Sequence, residues 1–165
     1  DLDGVTKGWL ADRALRLLGR YPSALVDADG DVAVRDSGSA DWSIAVGHPQ
    51  DDRAELARLR APQGWSPSSF GVATSGTSVH RWSARSGPTH HLIDPATGRP
   101  AETDIVQATV VADSTGLAEA LAKSAVIRGS RGSVGLLRRA GAWAALLLLD
   151  DGDLLTTPGT SRWLA

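Results

Sequence analysis

The sequence contains no cysteine, which excludes disulfide bonds, thiolate nucleophiles and cysteine-ligated metal sites. This absence leaves the cellular compartment open. Methionine is also absent, even at the start, and the chain opens on Asp1 inside what looks like a motif. We therefore expect a fragment or a processed product, with residues upstream that are missing here.

Runs of basic residues and long apolar segments are missing as well. The net charge is −2, and without a Lys/Arg run the composition argues against a nucleic-acid surface. The longest apolar run, residues 142–149, is far too short to span a bilayer. The 42% of hydrophobic residues can supply a core, and the length suits one domain or half of a larger one.

The most informative stretch that is present runs from His90 to Pro100. Two histidines precede the apolar pair Leu92-Ile93, which is typical of the end of a buried strand. Asp-Pro and Thr-Gly then follow, and both pairs favour turns. Two interpretations remain open from spacing alone: a hairpin turn with surface histidines, or a rigid turn that holds catalytic side chains.

Hydrophobic periodicity predicts alternating strands and helices with several hairpins, hence an α+β fold. Residues 1–8 are expected to form a loop with Lys7 at the mouth of a helix, where a lysine is either solvated or serves a ligand. Residues 51–61 could be a short helix or an extended segment. Helices are predicted at 9–19, at 117–127, where Gly129 ends the helix, and at 134–140, and strands at 42–46, 105–112, 143–149 and 154–157. Residues 23–34 are expected to form a strand, a turn and a second strand. Residues 79–83 are expected to lead into a hairpin that turns at 86–88 and returns through His90 and His91.

Two polar segments carry weaker signals. Residues 71–78 place small hydroxyl residues between glycines, which would let a ligand approach the backbone, although such runs are usually turns. Aspartates at 27, 29 and 31 suggest a calcium loop, but the later glutamate of an EF-hand is absent. Asp29-Gly30 is instead typical of a hairpin turn.

Four segments, in matching order and spacing, resemble the ApbE family of FAD:protein FMN transferases. Residues 1–12 (DLDGVTKGWLAD) are similar to the family's Ala-Lys-Gly…Asp motif, and Asp29-Gly30-Asp31 to its Gly-Gly-Asp. Residues 73–76 match its Ala-Thr-Ser-Gly, and residues 91–100 its His-x-x-Asp-Pro-x-Thr-Gly-x-Pro. The alanine-rich stretch 117–129 resembles the family's metal-binding helix.

The resemblance implies an ApbE-like (T-fold-like) architecture with mixed or antiparallel sheets and packed helices. Family members are roughly twice this length, so residues 1–165 are expected to be the C-terminal portion, with the upstream half completing the flavin pocket. The implied reaction moves FMN from FAD to a threonine hydroxyl of an acceptor protein, with Mg²⁺ on the pyrophosphate and AMP leaving. The family often works outside the cytoplasm or at a membrane, whereas these residues leave the compartment open.

Motif by motif, the resemblance assigns site residues. His91 is the acid/base or phosphate-orienting group, and Asp94 either orients it or only holds the turn. Together they form the expected catalytic pair. The expected cofactor-binding residues are Lys7, Asp12, Asp31, Thr74, Ser75 and Gly76, together with His91.

The metal-binding positions depart from the family pattern. The typical helix carries an aspartate and, four residues on, a threonine, which lie one turn apart on the same side. Here these positions are Glu119 and Lys123, and a protonated lysine cannot ligate Mg²⁺. The remaining expected ligand is the backbone carbonyl near Gly4, and Asp3 could add a carboxylate.

Three hypotheses therefore stay open. The protein is an active flavin transferase with a modified metal site, or a non-catalytic FAD-binding relative in which the Lys123 ammonium stands in for the metal. The third is a structural domain that keeps the fold and binds nothing.

Overall fold

The computed structural model describes residues 2–37, 42–65, 68–78, 81–84 and 87–165, and at positions 52, 81, 83, 84, 87 and 88 the backbone alone. The helices are α1 (Asp3–Leu17), α2 (Thr115–Arg128) and α3 (Ser130–Arg139), with a 3-10 helix at Thr160–Arg162. The strands are β1 (Ala24–Ala28), β2 (Asp31–Arg35), β3 (Ser43–His48), β4 (Asp51–Arg60), β5 (Ser69–Gly76), β6 (Arg81–Ala84), β7 (Gly87–His90), β8 (Ile93–Asp94), β9 (Arg99–Pro100), β10 (Ile105–Ala112), β11 (Ala144–Leu149) and β12 (Leu154–Thr156).

A six-stranded sheet in the order β1-β2-β5-β10-β11-β12 forms the centre of the fold, and each neighbouring pair is antiparallel. Both faces of this sheet are covered. Along β10, Ala108 and Val110 pack in the cluster that includes α2, whereas Val111 packs in the cluster on the opposite face. Because successive side chains point to opposite faces, a strand covered on both sides is apolar almost throughout.

The helices lie on one face. α2 packs on β5 and β10, and it touches both α1 and α3. Its first residues are capped by Ser114, whose side chain accepts the amide of Leu117, and Gly129 ends it with a positive φ. The boundaries predicted for β10 and for the end of α2 are confirmed.

The opposite face is covered by the β3–β4 hairpin and the end of the chain. Trp163 is fully buried there, with Trp65 and Phe70 at centroid distances of 5.1 Å. Leu59 of β4 pairs with Leu164, which ties the hairpin to the C-terminal residues. In the part of the chain that the structure describes, no helix has the length and apolar character needed to cross a membrane.

The prediction for the first residues was wrong. α1 begins at Asp3 rather than at Trp9, so Lys7 lies in its second turn and not at its mouth. Gly4 and Gly8 have low intrinsic helix propensity, which hid the helix in the sequence. Gly8 is nevertheless required, because a Cβ there would lie 2.7 Å from the carbonyl oxygen of Thr115.

The structure settles two further expectations and part of a third. Residues 51–60 form a strand rather than a short helix. Ile93 does not end a buried strand, because its side chain is 45% exposed. It pairs with Pro100 in a hairpin whose two strands, β8 and β9, have two residues each. The predicted turn around Ser86 lies partly outside the described residues, although β6 and β7 do pair as expected.

Candidate functional site

The segment after β7 is anchored on both sides of His91. His90 is buried, its Nδ1 accepts the amide of Leu92 at 3.2 Å, and its Nε2 lies 3.1 Å from the carbonyl oxygen of Ala101. Since Nδ1 accepts, the proton is on Nε2, and the neutral imidazole closes the loop. Leu92 packs in the core cluster that contains α2. His90 is thus a structural residue.

His91 lies between these two anchors with an exposed side chain. The two anchors therefore hold the backbone of His91 in place. Asp94 is partly buried, and its Oδ1 accepts the amide of Ala96 at 2.9 Å, while its carbonyl accepts the amide of Gly98. Asp94 thus holds the Asp-Pro turn, and a catalytic role for either residue stays a prediction.

Lys7 and Asp31 meet at the start of β2. The Nζ of Lys7 lies 3.3 Å from Oδ2 of Asp31 and 3.4 Å from the carbonyl oxygen of Asp29. The Asp31 side chain is only 2% exposed, whereas that of Lys7 is 49% exposed. The pair therefore presents a cation to solvent and keeps its carboxylate inside.

Asp31 is electrostatically perturbed. Burial raises the pKa of its carboxyl above the ordinary value, the attraction of Lys7 opposes that rise, and repulsion from Glu119 adds to it. The folded protein consequently binds a proton at Asp31 more readily than the unfolded chain does.

This shift predicts a pH dependence of stability. Because the folded-state pKa is raised, ionised Asp31 destabilises the fold at neutral pH, and the penalty is relieved as the pH falls through the folded-state pKa. We expect Asp31→Asn to be at least as stable as wild type at about pH 7, with the difference vanishing towards about pH 4. Urea denaturation of both proteins across that range measures it. A variant clearly less stable at neutral pH would show that the Lys7 ion pair outweighs burial.

A second ion pair lies within α2, and its carboxylate also bonds to α1. Glu119 is 1% exposed. Its Oε2 accepts a hydrogen bond from the amide of Gly8 at 2.9 Å, and its Oε1 accepts one from the Nζ of Lys123 at 2.8 Å. The stem of Lys123 runs past Gly4, where a Cβ would lie 3.7 Å from its Cδ. Gly4, Glu119 and Lys123, predicted from two separate segments of the chain, are thus brought together.

These three residues do not fit a magnesium ion. Both carboxylate oxygens of Glu119 are already hydrogen-bonded, and the ammonium of Lys123 lies where a second ligand is needed. A protonated lysine offers donors but no lone pair. Asp3 is exposed in the first turn of α1. Within the described ranges, no group of three or more His, Cys, Asp or Glu residues could hold a metal.

Asp12 caps α2 from the neighbouring helix. Its Oδ1 accepts the amide of Thr115 at 2.9 Å, and its Oδ2 accepts the amide of Gly116 at 3.0 Å. Because an anion at a helix N-terminus is stabilised by the dipole and by unpaired amides, this contact fixes α1 against α2. The cofactor-binding role predicted for Asp12 stays a prediction, but its structural role is visible.

The small residues at 73–76 lie in β5, not in a turn. Thr74 is exposed, with its Oγ1 2.8 Å from that of Thr109, and Ser75 is buried on the helix side. A Cβ on Gly76 would lie 2.6 Å from the carbonyl oxygen of Val106, so this glycine accommodates the chain's own backbone. Cofactor binding by these residues stays a prediction.

Thr74 also borders an open cavity on the sheet face that carries β3. The cavity has a volume of about 310 Å³ and is lined by residues of β1, β2, β3 and β5 and by Gly30. Gly30 precedes Asp31, so the cavity and the Lys7–Asp31 pair flank the same turn on opposite faces of the sheet. An elongated ligand could therefore reach both.

Sequence reasoning missed two members of this region. Gly8 supplies a backbone donor to Glu119, and its sequence signal was its position in the motif of residues 1–12. Thr109 of β10 lies opposite Thr74 of β5, and the two hydroxyl groups are hydrogen-bonded. The sequence carried no signal for this pair, because the register between two strands is decided only when the strands meet.

Comparison with known proteins finds relatives of this chain in sequence and in structure. A model of the ApbE family matches residues 1–147. The FAD:protein FMN transferase of Treponema pallidum (strain Nichols) is 31% identical over 172 residues, covering 96% of this chain and 46% of that protein. Its namesake in Salmonella typhimurium (strain LT2) is 26% identical over 169 residues, covering 100% and 45%.

The fold agrees as well. The crystal structure of the ApbE protein from Thermotoga maritima matches with a TM-score of 0.81 at 28% identity, over 96% of this chain and 51% of that one. The predicted α+β class with antiparallel sheets and packed helices is thereby confirmed. The chain spans about half the length of the curated relatives that it matches.

Proposed function

This chain belongs to the ApbE family, and from that premise we propose that the protein containing it acts on FAD as an FMN transferase. In the proposed reaction, a hydroxyl of an acceptor protein attacks the FMN phosphorus of FAD. The bond from that phosphorus to the bridging oxygen breaks, and AMP leaves with that oxygen. The proposed acceptor group is a threonine hydroxyl.

The observation that carries the proposal is the match over residues 1–147 together with the convergence of its motifs. The relatives are FAD:protein FMN transferases, a name that specifies a flavin donor and a protein acceptor. Lys7 and Asp31 come from separate motifs and meet at one end of the sheet. The Lys123–Glu119 pair of α2 lies nearby, and Glu119 bonds to Gly8 of α1.

The lysines supply the charge that a diphosphate needs. Transfer of a phosphoryl-type group spreads negative charge over the phosphate oxygens, and fixed cations stabilise it without reorganisation. Lys7 is half exposed and Lys123 is 23% exposed, so both ammonium groups are accessible to a bound ligand. The residues at this position do not fit Mg²⁺, so the proposed reaction relies on the two lysines instead.

His91 is proposed to take the proton of the attacking hydroxyl. An imidazole titrates near neutral pH, and the anchors at His90 and Leu92 hold the His91 backbone in place. Asp94 keeps the turn that follows. Thr74 is proposed to contact a non-phosphate part of FAD in the adjacent cavity.

A second function is favoured by one observation. The Glu119–Lys123 ion pair stands where the resemblance expects two metal ligands. A protein without that metal could bind FAD without transferring FMN, and would then act as a flavin-binding relative.

Incubation of the intact protein with FAD and a threonine-containing acceptor, followed by chromatography, separates these functions. We expect AMP release with FMN bound to the acceptor. Free FMN would indicate hydrolysis, and FAD binding without AMP release would support the second function. We further expect His91→Asn to lower the rate of AMP release by about 100-fold or more while FAD still binds.

The matched control is His48→Asn, since His48 lies at the end of β3 and contacts only the following turn through Gln50 in the described hydrogen bonds. An equal loss of rate in both variants would rule out the assigned role of His91.

A further inference from the structure

Two lysines and two acidic residues form a charge cluster between α1, α2 and β2. The cluster consists of Lys7, Asp31, Glu119 and Lys123, which are paired as Lys7–Asp31 at 3.3 Å and Lys123–Glu119 at 2.8 Å. The two acidic side chains are buried, and the two basic ones reach solvent. The cluster is electrically balanced while both acids are ionised, and its accessible rim is cationic.

The interior of this cluster is already neutralised. Glu119 accepts two hydrogen bonds, one from a backbone amide and one from an ammonium group. A divalent cation would have to displace Lys123 and leave that ammonium beside it, where the like charges repel. A divalent cation therefore finds no net negative charge here, and both oxygens of Glu119 already accept hydrogen bonds.

Lys123 still has capacity to bind an anion. An ammonium group carries three donors, and the described hydrogen bonds account for one of them, to Glu119. The ion pair also fixes the position of Nζ, and the stem rests against Gly4. A donor that is already positioned loses little entropy when a phosphate binds.

We propose that the Lys123 ammonium, held by Glu119, replaces the divalent cation on the diphosphate of FAD, so that FAD binding is independent of divalent metal. The inference rests on the proposed function, because it takes FAD as the ligand. It also makes Glu119 a positioning residue for Lys123 rather than a metal ligand.

The test measures the Kd of FAD for the intact protein by fluorescence titration, in excess EDTA and in excess MgCl₂. We expect the two values to agree within about twofold. A Kd at least tenfold lower with Mg²⁺ would overturn the inference and leave the proposed function standing. Failure to bind FAD under either condition would overturn both.

A double variant tests the residues themselves. Glu119→Gln/Lys123→Met removes both charges, keeps the stem lengths and lets the glutamine oxygen still accept the amide of Gly8. We expect its Kd for FAD in EDTA to rise about 10- to 100-fold, as for loss of a charged hydrogen bond. The matched control is Glu55→Gln/Arg58→Met, an ion pair on β4 whose side chains are each 46% exposed, and its Kd should not change.

Direct metal binding supplies a readout that does not involve FAD. Electron paramagnetic resonance with Mn²⁺ is expected to detect no ion whose binding depends on Glu119. A Mn²⁺ ion that is bound by wild type and lost in the double variant would overturn the inference.

Discussion

Replacement of Gly71 by alanine is expected to destabilise the protein by about 3 kcal/mol. A Cβ at this position would lie 2.1 Å from the amide nitrogen and 2.3 Å from the Cα of Thr115, both of which are backbone atoms. No side-chain rotation relieves such a contact, so the first turn of α2 must move away from β5. The midpoint of urea denaturation measures the effect.

The consequence should extend to the site. Glu119 lies one turn beyond Thr115 on α2, and its hydrogen bond to Gly8 requires α2 to stay close to α1. We therefore expect FAD affinity to fall along with stability.

The matched control is Gly47→Ala in β3, where nothing lies within 4 Å of an added Cβ. This substitution should leave the midpoint unchanged or raise it slightly, because alanine reduces the entropy of the unfolded chain. Equal losses in both variants would show that glycine flexibility, rather than the contact with Thr115, decides the stability.

The substitution Lys123→Met should also destabilise the fold by about 3 kcal/mol. It leaves the Glu119 carboxylate 1% exposed, with the amide of Gly8 as its remaining described hydrogen-bond donor. Removal of one partner of a buried ion pair leaves an uncompensated charge in the interior. Because Lys123 is partly exposed, we expect a destabilisation at the lower end of the range that is usual for such pairs.

The double variant Glu119→Gln/Lys123→Met should recover most of that loss, since it buries no charge. Arg58→Met, which breaks the exposed pair with Glu55, should cost less than about 1 kcal/mol. If the Lys123 single variant and the double variant are equally stable in urea, Lys123 does not compensate the buried charge of Glu119.

Both substitutions are expected to affect the contact between α1 and α2. α1 and the N-terminal end of α2 approach each other closely because Gly8 has no side chain there, and Asp12 then bonds the first amides of α2. The proposed diphosphate site lies along this contact between the two helices. Stability and ligand binding are therefore expected to change together at this contact.

The sequence was sufficient where a signal is local. The β-branched residues at 105–112 predicted β10, the glycine at 129 marked the end of α2, and Asp29-Gly30 marked the β1–β2 turn. Each of these features depends on the conformational preferences of adjacent residues. The motif at 91–100 likewise pointed to the family, and the family model confirmed it.

The sequence failed where packing overrides propensity. Glycines at 4 and 8 argued against a helix, yet α1 includes both, and its close approach to α2 requires the glycine at 8. Sequence reasoning treated Glu119 and Lys123 as altered metal ligands, or the Lys123 ammonium as a substitute for the metal. It could not show that Glu119 is buried against the amide of Gly8, because 111 residues separate the two.

By itself, then, the sequence determined the fold class, the family and the residue types available at the site, since these follow from local patterns and motif spacing. Only the tertiary structure decided that Asp12 caps α2, that Asp94 holds its turn, and that the Lys123 ammonium lies where a metal ligand was expected. These outcomes depend on which distant groups are brought within hydrogen-bond distance and removed from water. Burial and pairing of that kind arise only when the whole chain packs.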